Sequence, residues 1–132
     1  MKKITTIIIA LALCFGAYAQ SMSASDPEKV IPFADPFILY EDGMYYLYGT
    51  GSDDGIPVLV SEDMKTWSWP DGENWHFALH KDDSYGDRMF WAPEVYHVGD
   101  RYIMFYSSQE HICMAEATSP LGPFIQKVQR PM

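Results

Sequence analysis

The sequence has few basic residues and few cysteines, and it lacks the common signatures of nucleotide or thiol chemistry. Nine Lys and Arg stand against 18 Asp and Glu, a formal net charge of -9 over 132 residues. This balance argues against a nucleic-acid partner or an anionic membrane surface, since both select for basic side chains. A glycine-rich phosphate loop, a nucleophile elbow and a CxxC pair are all missing from the sequence.

The first 19 residues have the layout of a secretory signal peptide. A positive start at residues 1–3 precedes an uncharged, mostly apolar run at residues 7–19, which ends in the small-x-small pattern Ala17-Tyr18-Ala19. The run is too short for a transmembrane helix. We therefore expect cleavage after Ala19 and a secreted or periplasmic protein. Lipid attachment at Cys14 is an alternative, although Leu13 stands where a bacterial lipobox has a small residue.

Cleavage would leave Cys113 as the only cysteine, so an internal disulfide is excluded. Cys113 lies in an apolar run, which indicates a small buried side chain rather than a reactive thiol. With 48% hydrophobic and 20% charged residues, the chain is expected to form one domain or part of one.

Short aromatic and β-branched runs, separated by Gly and Asp turns, make up the rest of the sequence. They predict strands at residues 37–40, 44–48, 56–60, 94–96, 102–106 and 112–115, with an outer strand somewhere in residues 67–79. No convincing amphipathic helix is present, and residues 20–30 are interpreted as a flexible lead-in. The sequence therefore predicts an all-β fold built from antiparallel hairpins.

One hairpin unit occurs twice, with an offset of 57 residues. The offset superposes Pro36 on Pro93, Ile38 on Val95, Tyr45 on Tyr102 and Thr50 on Ser107. After loops of different length, residues 58–62 are matched to 112–116, and Trp67 to Phe124. The period and the strand content predict β-propeller blades, the first at about residues 31–80 and the second at about 90–128.

Two blades cannot close a propeller ring. We therefore expect residues 20–132 to leave an open apolar edge on each side, and a chain that either continues in the natural protein or is a truncated product.

Side chains that could take part in catalysis or ligand binding lie at the beginnings of two predicted strands. Asp35 precedes Pro36, which predicts an extended Asp35, and a carboxylate near a propeller axis can act as a general base on water. Trp91 and Glu94 lie at the same place in the second repeat, where an indole can stack on a sugar face. The alternatives are an ordinary turn for Asp35, a core aromatic for Trp91 and a structural hydrogen-bond partner for Glu94.

Taken in order, these motifs resemble the N-terminal part of glycoside hydrolase family 43. The resemblance covers about residues 31–125. It rests on the segments Phe33-Ala34-Asp35-Pro36-Phe37, Asp42-Gly43-Met44-Tyr45-Tyr46-Leu47-Tyr48-Gly49-Thr50, Ser61-Glu62-Asp63-Met64-Lys65-Thr66-Trp67, Phe90-Trp91-Ala92-Pro93-Glu94-Val95 and Ser119-Pro120-Leu121-Gly122-Pro123-Phe124.

The resemblance implies a five-bladed β-propeller and an inverting hydrolase of arabinofuranosyl, xylosyl and sometimes galactosyl linkages, with an oligosaccharide or polysaccharide as substrate. Of the three acids that the family uses, Asp35 matches the general base, and the other two should lie beyond Met132. Phe33, Trp91 and Glu94 are expected to contact the sugar. No cofactor is expected, although a structural calcium in the complete domain would be held by downstream residues. These 132 residues alone should be inactive.

Two other functions are weighed against this one. The first is a non-catalytic carbohydrate-binding propeller fragment, with the aromatic residues as stacking platforms. The second is a propeller glycosidase of the invertase type, which expects an Asn before the Asp-Pro pair and Asn-Gly after it. Ala34 and Phe37 stand in those places and count against that group.

Metal sites are weakly indicated. The acidic pairs 53–54 and 82–83 are interpreted as solvated turns, with calcium as the alternative, but they lack EF-hand spacing. His76 and His80 are four residues apart, which would suit a metal only on a helix, and no helix is predicted there. His97 and His111 are interpreted as ordinary packing or surface residues.

Overall fold

The computed structural model describes residues 22–23, 31–72 and 75–132. The predicted signal peptide and most of the predicted lead-in lie outside the described residues. Those described form nine β-strands and one 3-10 turn: β1 (Met22–Ser23), β2 (Ala34–Glu41), β3 (Met44–Thr50), β4 (Gly55–Ser61), β5 (Thr66–Trp67), β6 (Phe77–His80), the 3-10 turn (Lys81–Asp83), β7 (Trp91–Val98), β8 (Arg101–Ser108) and β9 (His111–Ala117). Within this part of the chain, no helix is long and apolar enough to span a membrane. The predicted all-β fold is confirmed.

Two antiparallel sheets carry the fold. The first has the strand order β2-β3-β4-β6 and the second has the order β7-β8-β9. Tight turns set the register of both leading hairpins. Asp42 and Gly43 have φ values of 50° and 86°, as in a type I′ turn, and Gly99 has a φ of 67° at the first turn position, as in type II′. Both turns match the right-handed twist of the strands that they join.

The two leading hairpins are copies of one another. β2 and β7 have the same length at an offset of 57 residues, and each strand changes register at the same place, between Ala34 and Phe37 and between Trp91 and Glu94. Trp67 and Phe124 also correspond, because the bridges that follow them, Val60 to Ser68 and Glu116 to Ile125, occupy matching places in the two sheets. The predicted 57-residue repeat is confirmed.

The predicted match between the third strands is wrong by two residues. Val58 pairs with Tyr48, and Met114 pairs with Phe105, so Val58 corresponds to Met114 and not to Ile112. A slip of two residues keeps every side chain on the same face of the sheet. The alternation of apolar and polar residues therefore cannot reveal an error of two residues.

The main core lies between the two sheets. It contains buried residues from both of them, among them Tyr48, Ile56, Val58, Val95, Met104, Tyr106 and Phe124. A second, smaller cluster of Leu47, Leu59, Trp67 and Trp69 packs on the other face of the first sheet. Burial of each such side chain contributes about 1.5–3 kcal/mol. The main cluster therefore fixes how β2 and β7 lie side by side.

Residues 119–126 follow the second sheet and return to the first. The Tyr48 hydroxyl donates to the Pro120 carbonyl, and the Phe124 amide donates to the Ala78 carbonyl at 2.7 Å. The first sheet thus obtains part of its hydrogen bonding from chain that follows the second.

Apolar side chains are exposed on the faces that point away from this core. Ile38 and Tyr40 are 40% and 58% exposed on β2, and Val98 is 59% exposed on β7.

A short third sheet is formed by β1 (Met22–Ser23), which pairs with β5 (Thr66–Trp67). Part of the predicted lead-in therefore makes backbone pairs that the sequence did not indicate.

Candidate active site at the bulged strand beginnings

A β-bulge places Asp35 at the beginning of β2, the first strand of the first sheet. Ala34 pairs with Thr50 and Phe37 with Tyr48, so Asp35 and Pro36 together oppose the single residue Gly49. Asp35 is exposed, and its φ is 47°. The expectation of an extended Asp35 is therefore wrong. The bulge requires a left-handed residue, and Asp tolerates that conformation better than most side chains do.

Gly49 lies in close contact with the residues that precede Asp35. A Cβ at position 49 would lie 2.6 Å from the Cβ of Phe33 and 3.0 Å from the carbonyl oxygen of Ala34. Both distances are shorter than ordinary van der Waals contact. Glycine is therefore needed for the close approach of β3 to the segment that carries Asp35.

Thr50 joins Asp35 to the second sheet. Its hydroxyl donates to Oδ2 of Asp35 over 2.9 Å, and its oxygen accepts a hydrogen bond from the backbone N–H of Ala92 over 3.0 Å. Hydrogen bonds to an ionised carboxylate are stronger than those between neutral groups. The beginnings of β2 and β7 are thus linked through one hydroxyl group.

The second sheet repeats the bulge without the carboxylate. Ala92 takes the place of Asp35 and has nearly the same φ, 46°. Trp91 begins β7 and is 38% exposed. A second contact between the sheets fixes the chain just before it, since Oδ1 of Asp53 accepts from the Met89 N–H at 2.9 Å. The structure therefore brings Asp35 and Thr50 to Ala92, the residue that follows Trp91, where β2 and β7 begin.

The side chain of Glu94 lies on the face of β7 opposite to that of Val95. Its neighbour Val95 is buried in the core shared with the first sheet, and successive side chains of a strand point to opposite faces. Glu94 is exposed and accepts a hydrogen bond of 2.8 Å from the Tyr96 hydroxyl. That hydrogen bond, and to a lesser extent burial, raises the pKa of Tyr96. Glu94 therefore lies on the face of β7 opposite to Val95, on which the Tyr96 ring also reaches Phe37 of the first sheet, with 5.8 Å between the ring centroids.

Phe33 belongs to an aromatic cluster beside the bulge. Its ring centroid lies 6.1 Å from that of Trp69 and 6.5 Å from that of Trp75. Trp75 stacks on Phe77 with an interplanar angle of 19°, and 43% of its surface is exposed. Phe33 therefore supports the chain just before Asp35 from the side opposite to the main core.

The acidic pair 53–54 is not simply a solvated turn, because both side chains have protein partners. Besides the contact of Asp53 with Met89 described above, Asp54 forms an ion pair with Lys81. The hydrogen bond and the charge of Lys81 lower the pKa of Asp54, and the same contact raises the pKa of Lys81.

The histidines also have protein partners. Nδ1 of His76 lies 3.0 Å from Asp71, and Nδ1 of His97 lies 3.0 Å from Glu41. Nowhere in the described ranges do three His, Cys, Asp or Glu side chains converge as metal ligands.

Cys113 is buried in the main core, as the sequence predicted. Burial raises the pKa of its thiol.

Thr50 is the site residue that the sequence reasoning missed. The repeat identified it only as the partner of Ser107. A signal was present, however. Counting back from the two-residue turn at Asp42–Gly43 places Thr50 opposite Asp35, and the bulge shifts that pairing by a single residue to Ala34.

Comparison with known proteins identifies the family. The model for glycosyl hydrolases family 43 matches residues 30–132. A solved endo-1,4-beta-xylanase from Bacteroides thetaiotaomicron VPI-5482 is 42% identical with a TM-score of 0.67, over 76% of this chain and 34% of that one. An endo-arabinase from the same organism is 33% identical with a TM-score of 0.62, over 76% of this chain and 36% of that one.

A third structure, a thermostable family-43 glycoside hydrolase, is 32% identical with a TM-score of 0.63, over 71% of this chain and 31% of that one. The chain thus spans about a third of the length of these relatives. A search of curated proteins found no match. The two sheets are the first two blades of the family's β-propeller, and the chain belongs to glycosyl hydrolases family 43.

Proposed function

We propose that this chain is the N-terminal part of a secreted, inverting glycoside hydrolase in which Asp35 is the general base. The observation that carries the proposal is the position of Asp35 within a family-43 match over residues 30–132. Its carboxylate is exposed at the beginning of β2 and is held by the Thr50 hydroxyl.

In the proposed reaction, Asp35 removes a proton from a water molecule. The water oxygen forms a bond to the anomeric carbon as the bond to the leaving oxygen breaks, and a carboxylic acid protonates that oxygen. An inverting enzyme needs about 6.5–9.5 Å between the two carboxyl groups, so that the water fits between base and sugar. Trp91, next to Ala92 in the second bulge, is proposed to stack on the sugar ring.

The acid is proposed to come from chain beyond residue 132. Glu94 is the carboxylate nearest in sequence to the second bulge, but it lies on the face of β7 opposite to the core residue Val95 and accepts a hydrogen bond from Tyr96. Its proposed role is to shape the pocket or to bind a sugar hydroxyl. These 132 residues are therefore proposed to be inactive alone. Phe33 is proposed to line the pocket from the side of the aromatic cluster, and any structural calcium would be held by the later blades.

The proposed substrate is a polysaccharide or oligosaccharide that contains xylose or arabinose. Two relatives at 42% and 33% identity are an endo-1,4-beta-xylanase and an endo-arabinase, which supports pentose linkages. An uncharged sugar also suits a chain with a formal net charge of -9. Secretion is supported by the signal-peptide pattern of residues 1–19, and the mature N-terminus is proposed to be Gln20.

The test uses the full-length protein that contains these residues, beside the 132-residue chain. Aryl arabinofuranoside, aryl xyloside, linear arabinan and xylan are the substrates, and proton NMR follows the anomer released first. We expect inverted product from the full-length protein and none from the short chain. Asp35→Asn should lower kcat by about 10²–10⁴-fold, the usual contribution of a general base, while oligosaccharide binding measured by calorimetry stays nearly intact.

Other outcomes would assign the function differently. Retained configuration in the product would exclude the inverting mechanism, and full turnover by Asp35→Asn would exclude this residue as the base. Turnover by the short chain would make Glu94 the leading candidate for the acid. Sugar binding without hydrolysis by the full-length protein would favour a carbohydrate-binding propeller.

A further inference from the structure

The directions of the two hydrogen bonds at Thr50 follow from the chemistry of its partners. A threonine hydroxyl offers one proton and two lone pairs. The N–H of Ala92, 3.0 Å away, can only donate, so it occupies a lone pair. An ionised carboxylate can only accept, so the hydroxyl proton points at Oδ2 of Asp35, 2.9 Å away. The second sheet therefore sets the orientation of the Thr50 hydroxyl, and that hydroxyl sets the orientation of Asp35.

The bulge in the second sheet explains why the Ala92 N–H is available. Ladder pairing stops at Trp91 and resumes at Glu94, and the extra residue of a bulge is left out of the ladder. Pro93 has no N–H to offer. The bulge position that carries the carboxylate of Asp35 in the first sheet thus supplies the N–H of Ala92 as a hydrogen-bond donor in the second sheet.

Without a hydrogen-bond partner, an exposed aspartate side chain can adopt several rotamers. Fixing it in the one rotamer that reacts then costs conformational entropy. We propose that Thr50 is the positioning residue of the general base. Held by the Ala92 N–H, it fixes the carboxylate of Asp35 in the orientation that accepts a proton from water. This inference rests on the proposed function. It adds that the base is competent only when the second blade is docked on the first.

The test compares three variants of the full-length protein. Thr50→Val keeps the shape and removes the hydroxyl, whereas Thr50→Ser keeps the hydroxyl and removes the methyl group. Ser107→Ala removes the hydroxyl at the matching place in the second blade, where the bulge residue is Ala92 and no carboxylate needs holding. Readouts are kcat and KM on an aryl glycoside that the wild type cleaves, the urea unfolding midpoint, and a crystal structure of Thr50→Val.

We expect Thr50→Val to lose about 10²-fold in kcat, the usual effect of a displacement of about 1 Å at a reacting group. Its KM should stay within about twofold, because the sugar contacts are untouched. Thr50→Ser should recover most of kcat, and Ser107→Ala should equal the wild type. The crystal structure should show Asp35 in a changed or mixed rotamer with an unchanged backbone.

Two results would overturn the inference while leaving the proposed function intact. The first is an active wild type whose Thr50→Val variant retains its kcat. The second is a Thr50→Ser variant as impaired as Thr50→Val, which would assign the effect to packing of the methyl group. A wild type without glycosidase activity would refute the proposed function instead. In that case an unchanged Asp35 in the Thr50→Val crystal structure would still refute the positioning role.

Discussion

Replacing Gly49 by Ala should damage stability and catalysis together. The new Cβ would lie 2.6 Å from the Cβ of Phe33, and ordinary contact needs about 3.5–4.0 Å, so the two groups must separate by roughly 1 Å. Overpacking of this kind costs about 1–3 kcal/mol, and Ala returns about 0.4–1 kcal/mol by restricting the unfolded chain. Subtracting this gain from the cost leaves a net loss between about 0 and 2.6 kcal/mol, with about 1.3 kcal/mol at its centre. Because Phe33 and Ala34 lead directly into Asp35, kcat should also fall, by up to about 10²-fold.

Gly51→Ala is the matched control. Its Cβ would meet only the ring edge of Phe33, at 3.0 and 3.3 Å, with the Pro32 carbonyl at 3.5 Å. A tilting ring can relieve that contact, so we expect a loss below about 1 kcal/mol. Neither glycine has a positive φ, so backbone strain does not separate the two variants. Urea unfolding and kcat of the full-length protein are the measurements. Equal stability of Gly49→Ala and Gly51→Ala would refute the role assigned to the close approach at position 49.

Two further substitutions test the contacts around this framework. Tyr48→Phe removes the hydroxyl that donates to the Pro120 carbonyl, so urea unfolding should show a loss of about 1–3 kcal/mol; a change below about 0.5 kcal/mol would mean that water replaces the bond. Asp63 accepts from the backbone N–H groups of Thr66 and Lys65, which lower its pKa from the ordinary 3.8. Its stabilising effect is therefore complete above that value and is lost as the pH falls through the lowered pKa. The stability advantage of the wild type over Asp63→Asn should shrink below about pH 4, and an advantage independent of pH would contradict this assignment.

The sequence predicted the parts of the fold that depend on local pattern. The turn at Asp42–Gly43, the aromatic runs beside it and the 57-residue repeat all follow from residue type and spacing, and the structure has each of them. The sequence matched Val58 to Ile112 instead of Met114. Residue pattern carries no information on this error, because a shift of two residues leaves the alternation of apolar and polar side chains unchanged.

The candidate site was predicted less completely. Asp35 and Trp91 are where the repeat placed them, but the bulge at Asp35 was not foreseen. A proline after the aspartate favours extended backbone, whereas the bulge has a left-handed residue at this place in both sheets, Asp35 in the first and Ala92 in the second. Thr50 was missed because its role depends on an N–H from another sheet, 42 residues further along the chain.

The return of residues 119–126 to the first sheet has a consequence for how the protein is made. As the chain is synthesised from its N-terminus, β2, β3 and β4 can pair early, since the turns between them are short and local. The hydrogen bonds of the Tyr48 hydroxyl and the Ala78 carbonyl can nevertheless form only after Pro120 and Phe124 have been synthesised. At about 5–20 residues per second, that delay amounts to several seconds of synthesis. During this interval the first blade has an incomplete set of partners, and it is the stage at which the nascent chain most needs protection from aggregation.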